Sequence, residues 1–380
     1  MRAAVAAGHP ATAAAAFEVL RDGGTAADAA VAAALASCVA ETVMTGLLGG
    51  GHAIVWDGGC ARNLDCFVAV PSGPGGEMVD LAVPFGEETV HYAVGPASFG
   101  VPGLPAGLDA LWREHGRLPW PRLVGPALRL AEDGTQLPPR HAACLAMLEP
   151  VMTLNRGAAL YSPGGRLLQP GEMLRQPGLL DALELVAAEG AASVYRGSIA
   201  EKLLAEPGVV VTEADLQAYE PLWSEPVEVP YAGARFLTRR GLSGVPDLLS
   251  RFPRLAGLSA AERVLALVDV FDDMDAEGDT TNLCVVDAEG RVVVLTSSLG
   301  LGSGDFLPGL DLHLNSMLGE KDLIVGPLEP GKRMQSMMAP SLAVGSDGLA
   351  LAIGSAGGTS LVCRRGAAAD PRRDGLALEL

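Results

Sequence analysis

Two adjacent threonines, Thr280 and Thr281, stand just before a short apolar run, Leu283-Cys284-Val285-Val286. A threonine hydroxyl is a weak nucleophile at neutral pH and needs a base beside it. If the chain is cut before such a residue, the freed α-amine is that base, since it titrates near roughly 7.7 to 8.0 and is partly unprotonated at physiological pH. Thr280 would then carry nucleophile and proton acceptor together, and Thr281 would carry no chemistry, so Thr281→Ala is expected to leave cleavage and activity in place. By itself the pair is weak evidence, because β-branched side chains suit strands for reasons of packing.

The surroundings add to it. Residues 282–296 read as a hairpin, with apolar runs on either side of the turn-forming cluster Asp287-Ala288-Glu289-Gly290. A second hydroxyl cluster, Thr296-Ser297-Ser298-Leu299-Gly300, follows. Taken together, the threonine pair, the Val-Val-Asp strand, the glycine turn and the hydroxyl cluster resemble the start of the small subunit of γ-glutamyltranspeptidases. Further blocks share that resemblance in order along the chain. They are Ala6-Ala7-Gly8-His9-Pro10, the alanine-rich stretch 19–35, Gly49-Gly50-Gly51, residues 102–120, Met337-Met338-Ala339-Pro340-Ser341 and Gly354-Ser355-Ala356-Gly357-Gly358.

The resemblance implies an α/β chain folded as the four-layer αββα sandwich of N-terminal-nucleophile hydrolases. It implies a large segment, 1–279, and a small one, 280–380, separated by self-cleavage between Asp279 and Thr280, with the cleaved segment kept as partner. Thr280 is then the nucleophile, Ser298 the hydroxyl that supports it, and Gly357 and Gly358 the backbone donors to the oxyanion. Removing one such donor typically costs roughly 3 kcal/mol in the barrier. Glu320 is the nearest match for the acid that holds a substrate amine, and Asn315 and Ser336 fall in blocks expected to touch substrate. The substrate would be a small γ-glutamyl or related amide, and no metal or organic cofactor is implied.

The chain departs from the family pattern at several substrate-contact positions. Phe67, in Leu64-Asp65-Cys66-Phe67, stands where relatives carry an arginine that clamps a carboxylate by two parallel hydrogen bonds. Gly300 replaces an asparagine and Gln335-Ser336 a serine pair. Arg62 and Arg333 are the basic residues considered as replacements for the clamp. The losses fall on substrate contacts rather than on the nucleophile, which points to an acyl group other than a standard γ-glutamyl. Two other readings stay open here: a carbon–carbon bond hydrolase of proline-derivative biosynthesis, and a truncated, uncleaved, inactive homologue.

Composition narrows the rest. Of 380 residues 49% are hydrophobic but only 4% aromatic, so the core must be built from Ala, Val and Leu. Such small side chains let helices approach a sheet closely. A net charge of −18 and the lack of a Lys/Arg stripe argue against nucleic acid. Six cysteines without CxxC or Cys/His metal spacing read mostly as buried thiols. Asp28 interrupts the longest apolar run, around 26–40, so no membrane span is expected. The first matching block begins within a few residues of Met1, leaving no room for a signal peptide, and a cytoplasmic location is expected.

The loop Gly49-Gly50-Gly51 leads into an expected strand at His52-Ala53-Ile54-Val55-Trp56. Lacking a following Lys-Ser/Thr and helix, it is not a phosphate loop. Residues 107–188 read as helical scaffold. Val209-Val210-Val211 reads as a strand before a helix that Thr212 caps, and residues 342–353 as a second hairpin.

Overall fold

Alanine sets the geometry of the first layer. The computed structural model of the chain describes residues 3–85, 88–271, 280–346, 348–354 and 378–379. Helix α1 (Pro10–Arg21) begins on a proline, and the ring Nδ1 of its N-cap, His9, accepts the Ala11 N–H at 3.0 Å. Helix α2 (Ala26–Ala40) begins with a capping box. Thr25 Oγ1 accepts the Asp28 N–H at 3.1 Å, and the Asp28 carboxylate accepts the Thr25 N–H at 2.9 Å. Every residue of α2 is buried. Alanine is the strongest helix former and its methyl admits close neighbours. So α2 lies enclosed by α1, by α3 (Leu104–His115), by α4 (Trp120–Asp133) and by the sheet beneath it.

The strands of the two larger sheets are β1 (Ala4–Ala7), β2 (Gly50–Trp56), β3 (Ala61–Cys66), β4 (Leu222–Ser224), β5 (Val227–Tyr231), β6 (Ala234–Thr238), β7 (Thr281–Val286), β8 (Val292–Ser298), β9 (Ser341–Gly345), β10 (Gly348–Ile353) and β11 (Leu378–Glu379). They form a seven-stranded sheet in the order β11-β1-β7-β8-β2-β3-β4 and a four-stranded sheet in the order β10-β9-β6-β5. Neighbouring strands in both are antiparallel.

Alternation along the strands divides the core in two. Leu283, Val285, Val293, Leu295, Ala53 and Val55 face α1 and α2. Val292, Val294, Ile54, Trp56 and Ala61 face the second sheet, where they meet Leu237, Leu342 and Val344. Helix α5 (Val245–Arg251) packs on β5 and closes the far side of that sheet. The result is helices, sheet, sheet, helix: the four-layer αββα sandwich.

Both expected hairpins form, and the helical scaffold is broken by turns and by a short ladder of Thr135–Gln136 with Met173–Leu174. Residues 209–211 differ from expectation. Helix Glu213–Ala218 forms, capped by Thr212 and Asp215, but the three valines before it belong to no strand. Their backbone lies against the 72–76 loop instead. A Cβ on Gly73 would fall 1.9 Å from the Val210 carbonyl oxygen, and the Ser72 N–H donates to Asp215 at 3.0 Å. No disulfide links the described cysteines, of which Cys60 alone is exposed. Among the described residues no helix is long and apolar enough to cross a membrane.

Asp28 does more than cap its own helix. Fully buried, it also accepts the Arg117 and Leu118 N–H groups at 2.9 and 3.3 Å, tying α2 to the turn after α3. Asp28→Ala would orphan these buried donors, and a stability loss of about 2 to 4 kcal/mol is expected. The urea midpoint of the purified variant measures it.

Candidate functional site

Antiparallel register decides which side chains meet on the inner face of the large sheet. The β7/β8 ladder ends with Thr281 opposite Ser297, so the next position outward sets Thr280 beside Ser298. Ser298 pairs with Gly50. Gly51 pairs with Cys66, which brings Phe67 beside Gly50, where an added Cβ would come within 2.9 Å of the Phe67 Cα. Thr280, Ser298, Gly50 and Phe67 thus form one row across four strands. Asn282, Thr296, His52 and Asp65 form the next row inward, then Cys284, Val294, Ile54 and Asn63, then Val286, Val292, Trp56 and Ala61. The inner face grades from hydroxyl-bearing at one end to wholly apolar at the other.

Thr280 and Ser298 are both buried, and Ser298 Oγ accepts the Gly300 N–H at 2.8 Å. Behind them Asn282 and Thr296 hydrogen-bond at 2.8 Å. Exchanging its amide oxygen and nitrogen would let Asn282 donate to Thr296 Oγ1 and the Leu295 carbonyl and accept the Leu283 N–H, and these partners assign the amide that orientation. Next to it, His52 stacks on Phe67 with ring centroids 5.4 Å apart. Burial, and then the charges of Arg239 and Arg333, hold the His52 imidazole well below its usual pKa, so it stays neutral. Neither of its ring nitrogens has a hydrogen-bond partner among the described residues.

The residues expected at the substrate divide. Glu320 does reach the site. Gly300 has φ +67, and a Cβ there would lie 1.7 Å from Glu320 Oε1, so the carboxylate fills the space a side chain at 300 would need. Ser316 Oγ donates to the same oxygen at 3.3 Å. Asn315 is a correction. Its Nδ2 donates to the Leu48 and Gly100 carbonyls at 2.8 and 2.9 Å, and its Oδ1 accepts the Gly100 and Met317 N–H groups at 3.1 and 3.2 Å. That is the full capacity of an amide, so Asn315 braces the glycine loop against the 99–101 segment and has nothing left for a ligand. Ser336 is buried, and its Oγ accepts the Met338 N–H at 3.1 Å, bending the loop that follows. Gly357, Gly358 and Asp279 lie outside the described residues. The glycine block does begin at the site, since a Cβ on Gly354 would come within 1.8 Å of the Asn282 amide.

The two basic residues weighed as replacements for the missing clamp also separate. Arg62 pairs with Glu114 and lies over the Trp223 ring, at the opposite end of β3 from Phe67. Arg333 lies beside the row, with Nε 3.6 Å from Asp65 Oδ1 and its guanidinium 4.1 Å above the Tyr219 ring. A third cation, Arg239, escaped the sequence reading. Its Nη1 donates to the Ser336 and Met338 carbonyls at 3.3 and 2.9 Å, and burial lowers its pKa.

The Gamma-glutamyltranspeptidase family model matches residues 12–248 and 258–363. The chain belongs to the γ-glutamyltranspeptidase family. It is 28% identical to the Acylase ACY 1 proenzyme of Pseudomonas sp. (strain V22), over 94% of this chain and 76% of that one. It is 25% identical to the Glutathione hydrolase proenzyme of Bacillus subtilis (strain 168), over 94% and 75%. Among solved structures, the cephalosporin acylase of Bacillus halodurans superposes with a TM-score of 0.71 at 23% identity, covering 92% of this chain and 76% of that one. At that identity the likeness is one of fold.

This member of the γ-glutamyltranspeptidase family also holds a carboxyl that sequence reading missed. Glu41 caps the C-terminus of α2 and is buried. It accepts hydrogen bonds from Thr12 Oγ1, at 2.5 Å, and from Thr281 Oγ1. Burial pushes its pKa up, and the two hydroxyl donors pull it back. The only sequence signal was an acidic residue inside an otherwise apolar run.

Gly300 and Glu320 should behave as one unit. Gly300→Ala forces a side chain both into a left-handed backbone and onto a carboxylate, and a loss of about 1 to 3 kcal/mol is expected. Adding Glu320→Ala should recover the part due to collision. Urea unfolding of the two single variants and the double one reads the coupling, and strict additivity would mean the two groups do not meet.

Proposed function

We propose that the chain cuts its own Asp279–Thr280 bond and then uses Thr280 as the nucleophile of an amide hydrolase or acyltransferase. Hydrolase and acyl-transfer chemistry is that of the family; the assignment to residues is what is proposed. The observation that carries it is the outermost row, in which Thr280 at the head of β7 stands beside Ser298.

In the precursor, Thr280 Oγ attacks the Asp279 carbonyl carbon and the acyl group passes from nitrogen to oxygen. That shift breaks the C–N bond and frees the α-amine, and water then hydrolyses the ester to give the Asp279 carboxylate and restore the Thr280 hydroxyl. In the mature enzyme that amine takes the hydroxyl proton as Oγ attacks a substrate amide carbonyl. The tetrahedral oxyanion would be met by the N–H groups of Gly357 and Gly358, in the block that starts against Asn282. The leaving amine departs with the proton, and water or a second amine takes the acyl group from Thr280. Ser298 supports the nucleophile by hydrogen bonding.

Cleavage would not release the small segment. Strands β7 and β8 of the 280–380 segment are inserted between β1 and β2 of the 1–279 segment, so the two would remain a heterodimer through both ladders. The proenzyme names of the relatives agree with such processing. Phe67 argues for a small amide whose acyl group differs from a standard γ-glutamyl, because an aromatic ring cannot pair with a carboxylate.

Mass spectrometry of the folded protein should find a fragment ending at Asp279 and one beginning at Thr280, and Thr280→Ala should leave the chain whole. Among active samples, γ-glutamyl-p-nitroanilide should turn over weakly or not at all; brisk turnover would refute the role given to Phe67. The kcat/KM of any amide that does react should fall as pH drops through roughly 7.7 to 8.0, where the α-amine gains its proton.

A further inference from the structure

We propose that Glu41 is a positioning residue for self-cleavage, holding the chain at the 279–280 bond through the hydroxyl of Thr281. The proposal rests on the reading of Thr280 given above.

Three observations lead to it. Thr281 is the first residue of the β7 ladder, so its side chain is the ladder position nearest the bond to be cut. That side chain is tied to a rigid object. Glu41 follows directly on a helix with every residue buried, and its other oxygen is held by Thr12 of α1. The anchor is closely fitted, since a Cβ on Gly8 would lie 2.3 Å from Glu41 Oε2 and 2.9 Å from Thr281 Oγ1. Burying a carboxyl is unfavourable, and among the described residues Glu41 has no ion pair to offset it, only hydroxyls. A valine-like contact would fill the same space at less cost, so what the carboxyl adds is direction.

Alternation along β7 excludes a more direct role. Thr281 points to the helical layer and Thr280 to the space between the sheets, so the Glu41 carboxyl and the Thr280 hydroxyl lie on opposite faces. Glu41 therefore does not take the nucleophile's proton. It fixes the rotation of the backbone about residue 281, and with it the angle at which the Thr280 hydroxyl meets the preceding carbonyl. Attack needs near-van der Waals approach along a narrow direction, so a small swing at 281 is felt at the bond.

The test follows cleavage of full-length chain made by cell-free synthesis, sampled over time by mass spectrometry. The Glu41 bond replaces the expectation from sequence that the Thr281 hydroxyl is dispensable for cleavage: Thr281→Val and Glu41→Ala should slow cleavage by about tenfold or more, the rate equivalent of one lost hydrogen bond. Thr281→Ser and Glu41→Gln keep the bond and should stay within about threefold of wild type, as should Thr12→Val, which leaves the Glu41–Thr281 link intact. Melting of each variant in a Thr280→Ala background gives its stability free of processing, and Thr281→Val carries the test should Glu41→Ala not fold. Cleavage of Thr281→Val at the wild-type rate overturns the proposal. So does Glu41→Gln as slow as Glu41→Ala, or a slowing that merely tracks lost stability and is shared by Thr12→Val. A wild-type chain that never cleaves refutes the reading of Thr280 itself, and this proposal falls with it; a cleaving wild type with indifferent variants refutes this proposal alone.

Discussion

The register of β7 against β8 is the constraint on which the site depends. A slip of one residue would turn Thr280 towards the helices and Thr281 into the space between the sheets, because side chains alternate with a period of two. The apolar end of the ladder prevents that slip. Val292, Val294 and Ile54 are buried against Leu237, Leu342 and Val344 of the second sheet. Full burial of each such side chain is worth about 1.5 to 3 kcal/mol, against about 1 for a typical hydrogen bond, so the apolar rows choose the register and the polar rows inherit it. The position of Thr280 is set by valines two turns of the pleat away.

Much of this was legible in the chain. The hairpin around Asp287 to Gly290, the Thr212 cap and the glycine strand all follow from local pattern, and all formed as expected. The four layers formed as well, an expectation that rested on the family resemblance and not on local pattern. What escaped reading depends on pairing across long separations. His52 and Asp65 join Thr296 only through the β8-β2-β3 ladders. Glu41 meets Thr281 across most of the chain, with nothing in the spacing of either to announce it. Asn315 misled for a related reason, since an asparagine in a loop near a site can brace backbone as well as bind a ligand, and only its hydrogen bonds tell which. The valines at 209–211 have strand propensity, but their backbone lies against the 72–76 loop and joins no strand.

The row behind Phe67 is electrostatically unlike the row that holds Thr280. A neutral imidazole stacks on the phenyl ring, one carboxylate, Asp65, lies near two guanidiniums, and the Phe67 N–H donates to that carboxylate at 2.9 Å. Phe67 therefore stands between that layer and Thr280 and presents no charge of its own to the row. The ring is itself fixed, by His52 on its face and by the Tyr219 hydroxyl donating to its carbonyl at 2.7 Å.

The Gly300–Glu320 contact constrains how this chain can change. A side chain fits at position 300 only if the glutamate leaves its present rotamer, since its first carbon would otherwise overlap the carboxylate oxygen. Shortening the glutamate alone would leave that space empty beside a glycine. The two positions share one volume, so either can enlarge only as the other gives way.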